Sequence, residues 1–102
     1  MTIALPGDFS KPRPALVIQS HFFDQIDTLT VALISSAIVD APYMRVTIVP
    51  TAQNGLKAIS QVMVDKVMTS RTERIGAVFG RLEIEIMLEV DRRLALFLGI
   101  AR

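Results

Sequence analysis

Arg13 stands between two prolines at the mouth of an apolar run, in the segment Gly7-Asp8-Phe9-Ser10-Lys11-Pro12-Arg13-Pro14-Ala15-Leu16-Val17-Ile18-Gln19. Each proline fixes its own φ and pushes the residue before it toward extended geometry, so Pro14 constrains Arg13 and Pro12 stiffens the approach. Gly7-Asp8 supplies turn chemistry upstream, and Ala15 to Ile18 reads as a buried strand. The segment predicts a guanidinium held at a rigid strand entrance. A planar fork with a permanent charge suits bidentate contact with phosphate. A surface salt bridge or a dimer contact is the other use of such an arginine.

Few other residues offer chemistry. Ser35 closes a second apolar run, Ser36 follows it, and Lys11 and Lys66 are cations in apolar surroundings. Neighbouring antiparallel strands bring the start of one near the end of the next, which is how Arg13 and a Ser35 hydroxyl would meet. Taken alone, a serine such as Ser35 after an apolar run is more often a strand-end cap, and Lys66 reads also as an exposed side chain. His21 is the only histidine, and Asp8, Asp24, Asp27, Asp40, Asp65 and Asp91 show no metal-ligand spacing. A serine triad lacks its base, and no glycine-rich phosphate loop is present. The chemistry left is an arginine-centred site, expected to use neither metal nor cofactor.

The elements that must hold this site are short. Strands are predicted at Thr2–Leu5, Arg13–Ser20, Thr28–Ser35 and Arg45–Val49, the last stopped by Pro50. Ser60–Met68 holds one or two more, and Ile75–Leu82 another. His21–Asp27 is a loop or single helical turn, Ala37–Tyr43 a connector, Thr51–Gly55 a polar turn, and Thr69–Arg74 a short helical turn. Glu83–Leu98 is the one helix: Met87, Val90, Leu94, Phe97 and Leu98 recur at helical spacing, Glu89 pairs with Arg93, and Gly99 sits where a C-terminal cap belongs. Ile84, Ile86, Leu88 and Leu96 widen its apolar surface toward a second contact. Met63, Met68 and Met87 read as core filler. The fold class is mainly β with a terminal helix, a strongly bent small sheet with the helix packed on it.

The 102 residues predict a single domain, residues 1–102, large enough for one core but near the size at which oligomerisation helps. Half of them (51%) are apolar and mean hydropathy is +0.46, rich for a monomer this small, so a partner is expected to cover some apolar surface. A net charge of +1 requires that any nucleic-acid binding come from a local cluster. The absence of cysteine excludes disulfides and thiolate metal sites. No signal peptide and no long apolar span are read in the sequence, which points to a cytoplasmic chain without membrane contact.

Gly7-Asp8 through Arg13-Pro-Ala-Leu-Val-Ile-Gln19 resembles the second-strand motif of the MazF/PemK growth-inhibitor toxins. The likeness continues through Val31-Ala-Leu-Ile-Ser-Ser36, Ser60-Gln-Val-Met-Val-Asp-Lys66, and the Phe79-Gly-Arg-Leu82 step into a helix ending Leu-Phe-Leu-Gly-Ile100. It implies a small Src-homology-3-like β-barrel with an appended helix, a homodimer, and a type II toxin partnered by an antitoxin protein with a disordered acidic tail. It further implies metal-independent, sequence-specific endoribonuclease cleavage of single-stranded mRNA, leaving a cyclic phosphate and a 5′-hydroxyl. The family's catalytic arginine corresponds to Arg13 and its catalytic threonine to Ser35, or to Ser36 with a one-residue slip. Asp8, Lys11, Ser36, Gln61 and Lys66 are the expected substrate-binding residues. This chain departs from the family in its Pro6–Pro12 loop, which replaces a longer Glu-Gln-Xaa-Gly loop. Asp8 is its nearest acid, and a changed cut sequence is expected. The sequence admits two other readings. CcdB-like gyrase poisons share the fold but use a tryptophan before the terminal glycine, where this chain has Leu98-Gly99-Ile100 and no tryptophan. An inactive relative that only binds antitoxin is the other.

Overall fold

The structure is a computed structural model that describes the backbone of residues 2–6 and the whole of residues 13–100. Six strands, β1 (Thr2–Pro6), β2 (Ala15–Val17), β3 (Thr28–Ser35), β4 (Arg45–Ile48), β5 (Ser60–Arg71) and β6 (Ile75–Arg81), form one curled antiparallel sheet in the order β4-β5-β3-β2-β1-β6. The helix α1 (Ile84–Phe97) follows β6 directly. This is the mainly β, half-barrel fold with a terminal helix that the sequence predicts.

Both faces of the sheet bury side chains. Leu16, Ala32, Ile34, Val46, Ile48, Val62 and Val64 form one layer, closed by Leu82, Met87 and Val90 as α1 crosses it. Ala15, Val17 and Val31 form a smaller cluster, with Leu33 and Met68 packed against it. The period-2 alternation of β2 and β3 produces this split, because Leu16 and Ala32 face one way while Val17 and Val31 face the other. Of the three methionines read as filler, Met87 is buried in the main core, Met68 packs on the second cluster, and Met63 is half-buried outside both.

Two elements differ from expectation. The ladder of β2 is confined to Ala15–Val17, with single bonds extending it at either end: Ile34 N–H donates to Pro14 O at 3.1 Å and Ile18 N–H to Thr30 O at 3.2 Å. Pro14 has no N–H to continue the ladder. The β5 strand runs through Arg71, absorbing half of the stretch read as a helical turn, which shrinks to a 3-10 turn at Thr72–Arg74. Pairing of Met68–Arg71 with Thr28–Val31 overrides the polar composition there, and the Thr30 and Thr69 hydroxyls bond at 2.7 Å. A register shift between Ala32 and Ile34 places Asp65 and Lys66 in an irregular stretch of β5.

The helix is built as the sequence predicts. Arg93 bonds Glu89 at 2.6 Å, and its end is a Schellman motif: Gly99 has φ 75°, Gly99 N–H donates to Leu96 O, and Ile100 N–H to Ala95 O. Met87, Val90 and Leu94 face the core, while Ile84, Leu88, Leu96, Phe97, Leu98 and Ile100 remain exposed. Phe97 and Leu98 thus belong to the outer surface and not to the core stripe. Among the described residues no helix is long and apolar enough to cross a membrane.

Candidate active site

The β2–β3 register is Ala15↔Leu33, Leu16↔Ala32 and Val17↔Val31, and extending it by two residues sets Arg13 level with Ser35. Ser35 is in turn paired with Gln61 of β5, and Gln61 with Thr47 of β4. Four polar residues therefore share one rung at one end of the sheet. The chain turns away immediately after it: Ser35 Oγ accepts the Ala37 N–H at 3.0 Å, and Ser36 opens onto a cleft of about 530 Å³. Pro14, Gly55, Leu56, Lys57, Ala58, Ser60, Ala77 and Phe79 complete its lining. Among the described residues Lys57 is the one charged side chain in that wall. Arg13 is exposed and immediately precedes Pro14 of that lining, and among the described residues no carboxylate forms an ion pair with it.

One wall of the cleft is the β4–β5 connection, which the sequence marks only as a polar turn. Asn54 in that turn is fully buried and uses its whole amide. Its Oδ1 accepts from Thr51 N–H at 3.0 Å and Leu56 N–H at 3.1 Å, and its Nδ2 donates to Val49 O at 3.0 Å and Glu83 Oε1 at 3.1 Å. Glu83, just before α1, also accepts the Thr51 hydroxyl at 2.6 Å. Gln53 O accepts the Arg81 N–H at 3.0 Å, which joins this loop to the edge of β6 and draws the two ends of the sheet together. Gly55, at φ 71°, has no Cβ because one would lie 2.8 Å from Phe79 O and 2.9 Å from its ring. Asn54, Glu83, Leu56 and Phe79 are site-building residues that local pattern missed; the Asn-Gly pair was the available signal.

The Thr51 hydroxyl, and after it the amide contacts, hold the Glu83 carboxyl below the usual glutamate value of about 4.5. A depressed carboxylate contributes stability above its unfolded pKa and loses it as pH falls through the folded pKa. Glu83→Gln should therefore lower the denaturant midpoint at neutral pH, with the gap from wild type closing below about pH 4.5. A gap that stays constant from pH 7 to pH 3 would show that the charge plays no part.

Gln61 and Lys66 are placed differently from the substrate contacts expected of them. Gln61 is 4% exposed, and its amide is spent on the chain itself. Oε1 accepts Val39 N–H at 3.1 Å, while Nε2 donates to Val39 O at 3.1 Å and to Thr47 Oγ1 at 3.3 Å. It clamps the segment that follows Ser36. Lys66 pairs with Asp65 at 3.7 Å and lies five residues along β5 from Gln61, roughly 16 Å away. His21 lies in the β2–β3 connection, at the opposite end of the sheet, in a separate depression with Arg81 and Glu83. Asp8 and Lys11 lie outside the described residues. Among the described residues no three His, Cys, Asp or Glu side chains converge as a metal site requires.

Residues 2–98 match the family described as the PemK-like, MazF-like toxin of type II toxin–antitoxin systems. A relative from Mycolicibacterium smegmatis, named a probable endoribonuclease MazF, is 41% identical over 101 residues, covering 98% of this chain and 93% of its own. The Mycobacterium tuberculosis toxin MazF-mt6 superposes with a TM-score of 0.84 at 21% identity, covering 97% of both chains. A mycobacterial endoribonuclease solved with its cognate antitoxin gives 0.85 at 16% identity, over 99% of this chain and 94% of that one. MazF from a Deinococcus radiodurans MazE–MazF complex gives 0.79 at 17% identity, over 98% and 94%. The shared architecture in the solved structures, and the sequence match along nearly the whole chain, agree: this chain belongs to the PemK-like, MazF-like toxin family of type II toxin–antitoxin systems.

Proposed function

We propose that this toxin is a metal-independent endoribonuclease that cuts single-stranded mRNA at a preferred sequence, with Arg13 and Ser36 acting on the scissile phosphate. The observation that supports this reading is the cleft lined by Ser36 and by Pro14, whose preceding residue Arg13 is exposed and has no carboxylate partner among the described residues, in a chain of this family. Attack by the 2′-oxygen on phosphorus builds charge on the non-bridging oxygens. A fixed guanidinium favours that charge, most of all where water is sparse. The 2′-hydroxyl loses its proton as the new P–O bond forms, the P–O5′ bond breaks, and the 5′-oxygen takes up a proton. A cyclic phosphate and a 5′-hydroxyl result. A guanidinium is a poor base, so water carries those protons.

Ser36 is favoured over Ser35 as the hydroxyl donor to a non-bridging oxygen because Ser36 lines the cleft while Ser35 caps the turn. Ser36→Ala should lower cleavage about tenfold to a hundredfold, an interaction made to developing charge. Ser35→Ala should act mainly on stability, by about 1 kcal/mol, through loss of the Ala37 contact. Single-turnover rates beside denaturation curves separate the two, and the opposite pattern would move the role to Ser35. The basic assay is cutting of labelled RNA in EDTA with the matching DNA left intact. RNA left uncut there, or cut only on addition of a divalent ion, would sink the reading.

Two further parts of the proposal rest on surfaces. The exposed Ile84, Leu88, Leu96 and Phe97 of α1, with Leu98 and Ile100 just beyond its end, offer apolar surface suited to a homodimer contact. A cognate antitoxin with an acidic, disordered tail would cover the Arg13 cleft by charge complementarity and fold as it binds.

A further inference from the structure

We infer that the cleft beside Arg13 is a nucleobase subsite, in which Phe79 and Leu56 hold the base next to the scissile phosphate and so set sequence preference. The inference rests on the ribonuclease reading and names the substrate group that this part of the site takes. Three observations carry it. The cleft joins the phosphate site directly, since Pro14 and Ser36 belong to its wall and Arg13 precedes Pro14. Its charge suits a polyanion: Lys57 is present and, among the described residues, no carboxylate lines it. Its interior is largely apolar and includes an aromatic ring that rests against the glycine of the wall and is partly exposed.

That ring is Phe79, which is 37% exposed on an edge strand. It packs against Gly55, where a Cβ would come within 2.9 Å of Cδ1, so the absent side chain is what lets the ring lie there. Leu56 is anchored in the main core, and the Asn54 network fixes the loop that carries it. Ala58 and Ala77, both exposed, keep the remaining walls small. Every base has a π-face, and stacking on an aromatic side chain changes affinity about fivefold to a hundredfold per base. The Lys57 ammonium supplies a polar contact to the base edge or the next phosphate, while the Ser36 hydroxyl stays on the scissile phosphate.

The test is an abasic scan. An RNA carrying the mapped cut site, with a 2′-deoxy nucleotide at the scissile position so that no cyclic phosphate forms, is given an abasic residue at one position at a time. Binding is read by fluorescence anisotropy. Wild type should lose about tenfold or more at one position flanking the scissile phosphate, and Phe79→Ala should bind the full and the abasic RNA alike. If that variant does not fold, Ala77→Leu fills the cleft from an exposed position and should give the same flattened profile. Either variant keeping the wild-type profile, or a wild type insensitive at every flanking position, overturns the subsite. Wild type that neither binds nor cuts any RNA overturns the ribonuclease reading beneath it, and a cleft that takes an apolar side chain of a protein partner would appear as that result.

Discussion

Arg13→Ala is expected to lower RNA cleavage by about 10²- to 10³-fold while leaving the fold intact. The magnitude follows from what one fixed donor contributes to developing charge at a reaction centre. Retention of the fold follows from position. Arg13 lies outside the β2 ladder, its side chain is exposed, and no described carboxylate pairs with it. Arg13→Lys should recover only part of the rate, because an ammonium restores charge but not the two-pronged geometry. Single-turnover cleavage of a labelled RNA measures the chemical step, and a denaturation curve on the same preparation measures folding. A folded alanine variant that cuts at the wild-type rate would remove Arg13 from the mechanism. The same variant should still bind antitoxin more weakly than wild type if the acidic tail covers this cation, which ties catalysis and inhibition to one side chain.

What the sequence made legible depended on whether the controlling contacts were local. Pro14 acts on adjacent φ and ψ angles, so a strand near it could be read directly, although its ladder starts at Ala15 and not at Arg13. The helix could be read too, because Glu89–Arg93, the Met87–Val90–Leu94 stripe and the Gly99 cap all act within a turn or two. The β5 strand could not be bounded the same way. Its last residues, Thr69-Ser70-Arg71, are polar and gain strand geometry only by pairing with Thr28–Thr30. The serine pair shows a finer limit. Alternation says that Ser35 and Ser36 diverge, but which one reaches the cleft depends on the turn closed by Ser35 Oγ. Gln61 looked like one more polar residue near a site, and only the crossing of Val39 over β5 shows that its amide is already engaged. Asn54 is the clearest case. In the run Thr-Ala-Gln-Asn-Gly it reads as a solvated turn, yet Glu83 and Gly80, distant in the chain, make it the buried pin of the cleft wall.

The strength of that pin leads to the largest expected effect on stability. Gly80→Ala should destabilise the protein by about 3 kcal/mol, at the upper end for an overpacked site. The new Cβ would lie 2.1 Å from Asn54 O and 2.5 Å from Asn54 C, both backbone atoms. No side chain can swing aside to relieve that clash. The loop must lift off β6, stretching the Arg81–Gln53 bond and the amide contacts that Asn54 makes with Val49 and Glu83. Gly99→Ala is the matched control: nothing lies within 4 Å of its added Cβ, and only the φ of 75° opposes the substitution, at a cost of about 1 kcal/mol. For a domain of this size the two should appear as melting temperatures lowered by roughly 15 °C and 5 °C at fixed protein concentration. If Gly80→Ala melted no lower than Gly99→Ala, the close approach of Asn54 to β6 would be refuted. Where the ordering holds, the folded fraction of Gly80→Ala should also cut RNA with a relaxed site preference, because the displaced loop carries Leu56 and the glycine against which the Phe79 ring rests.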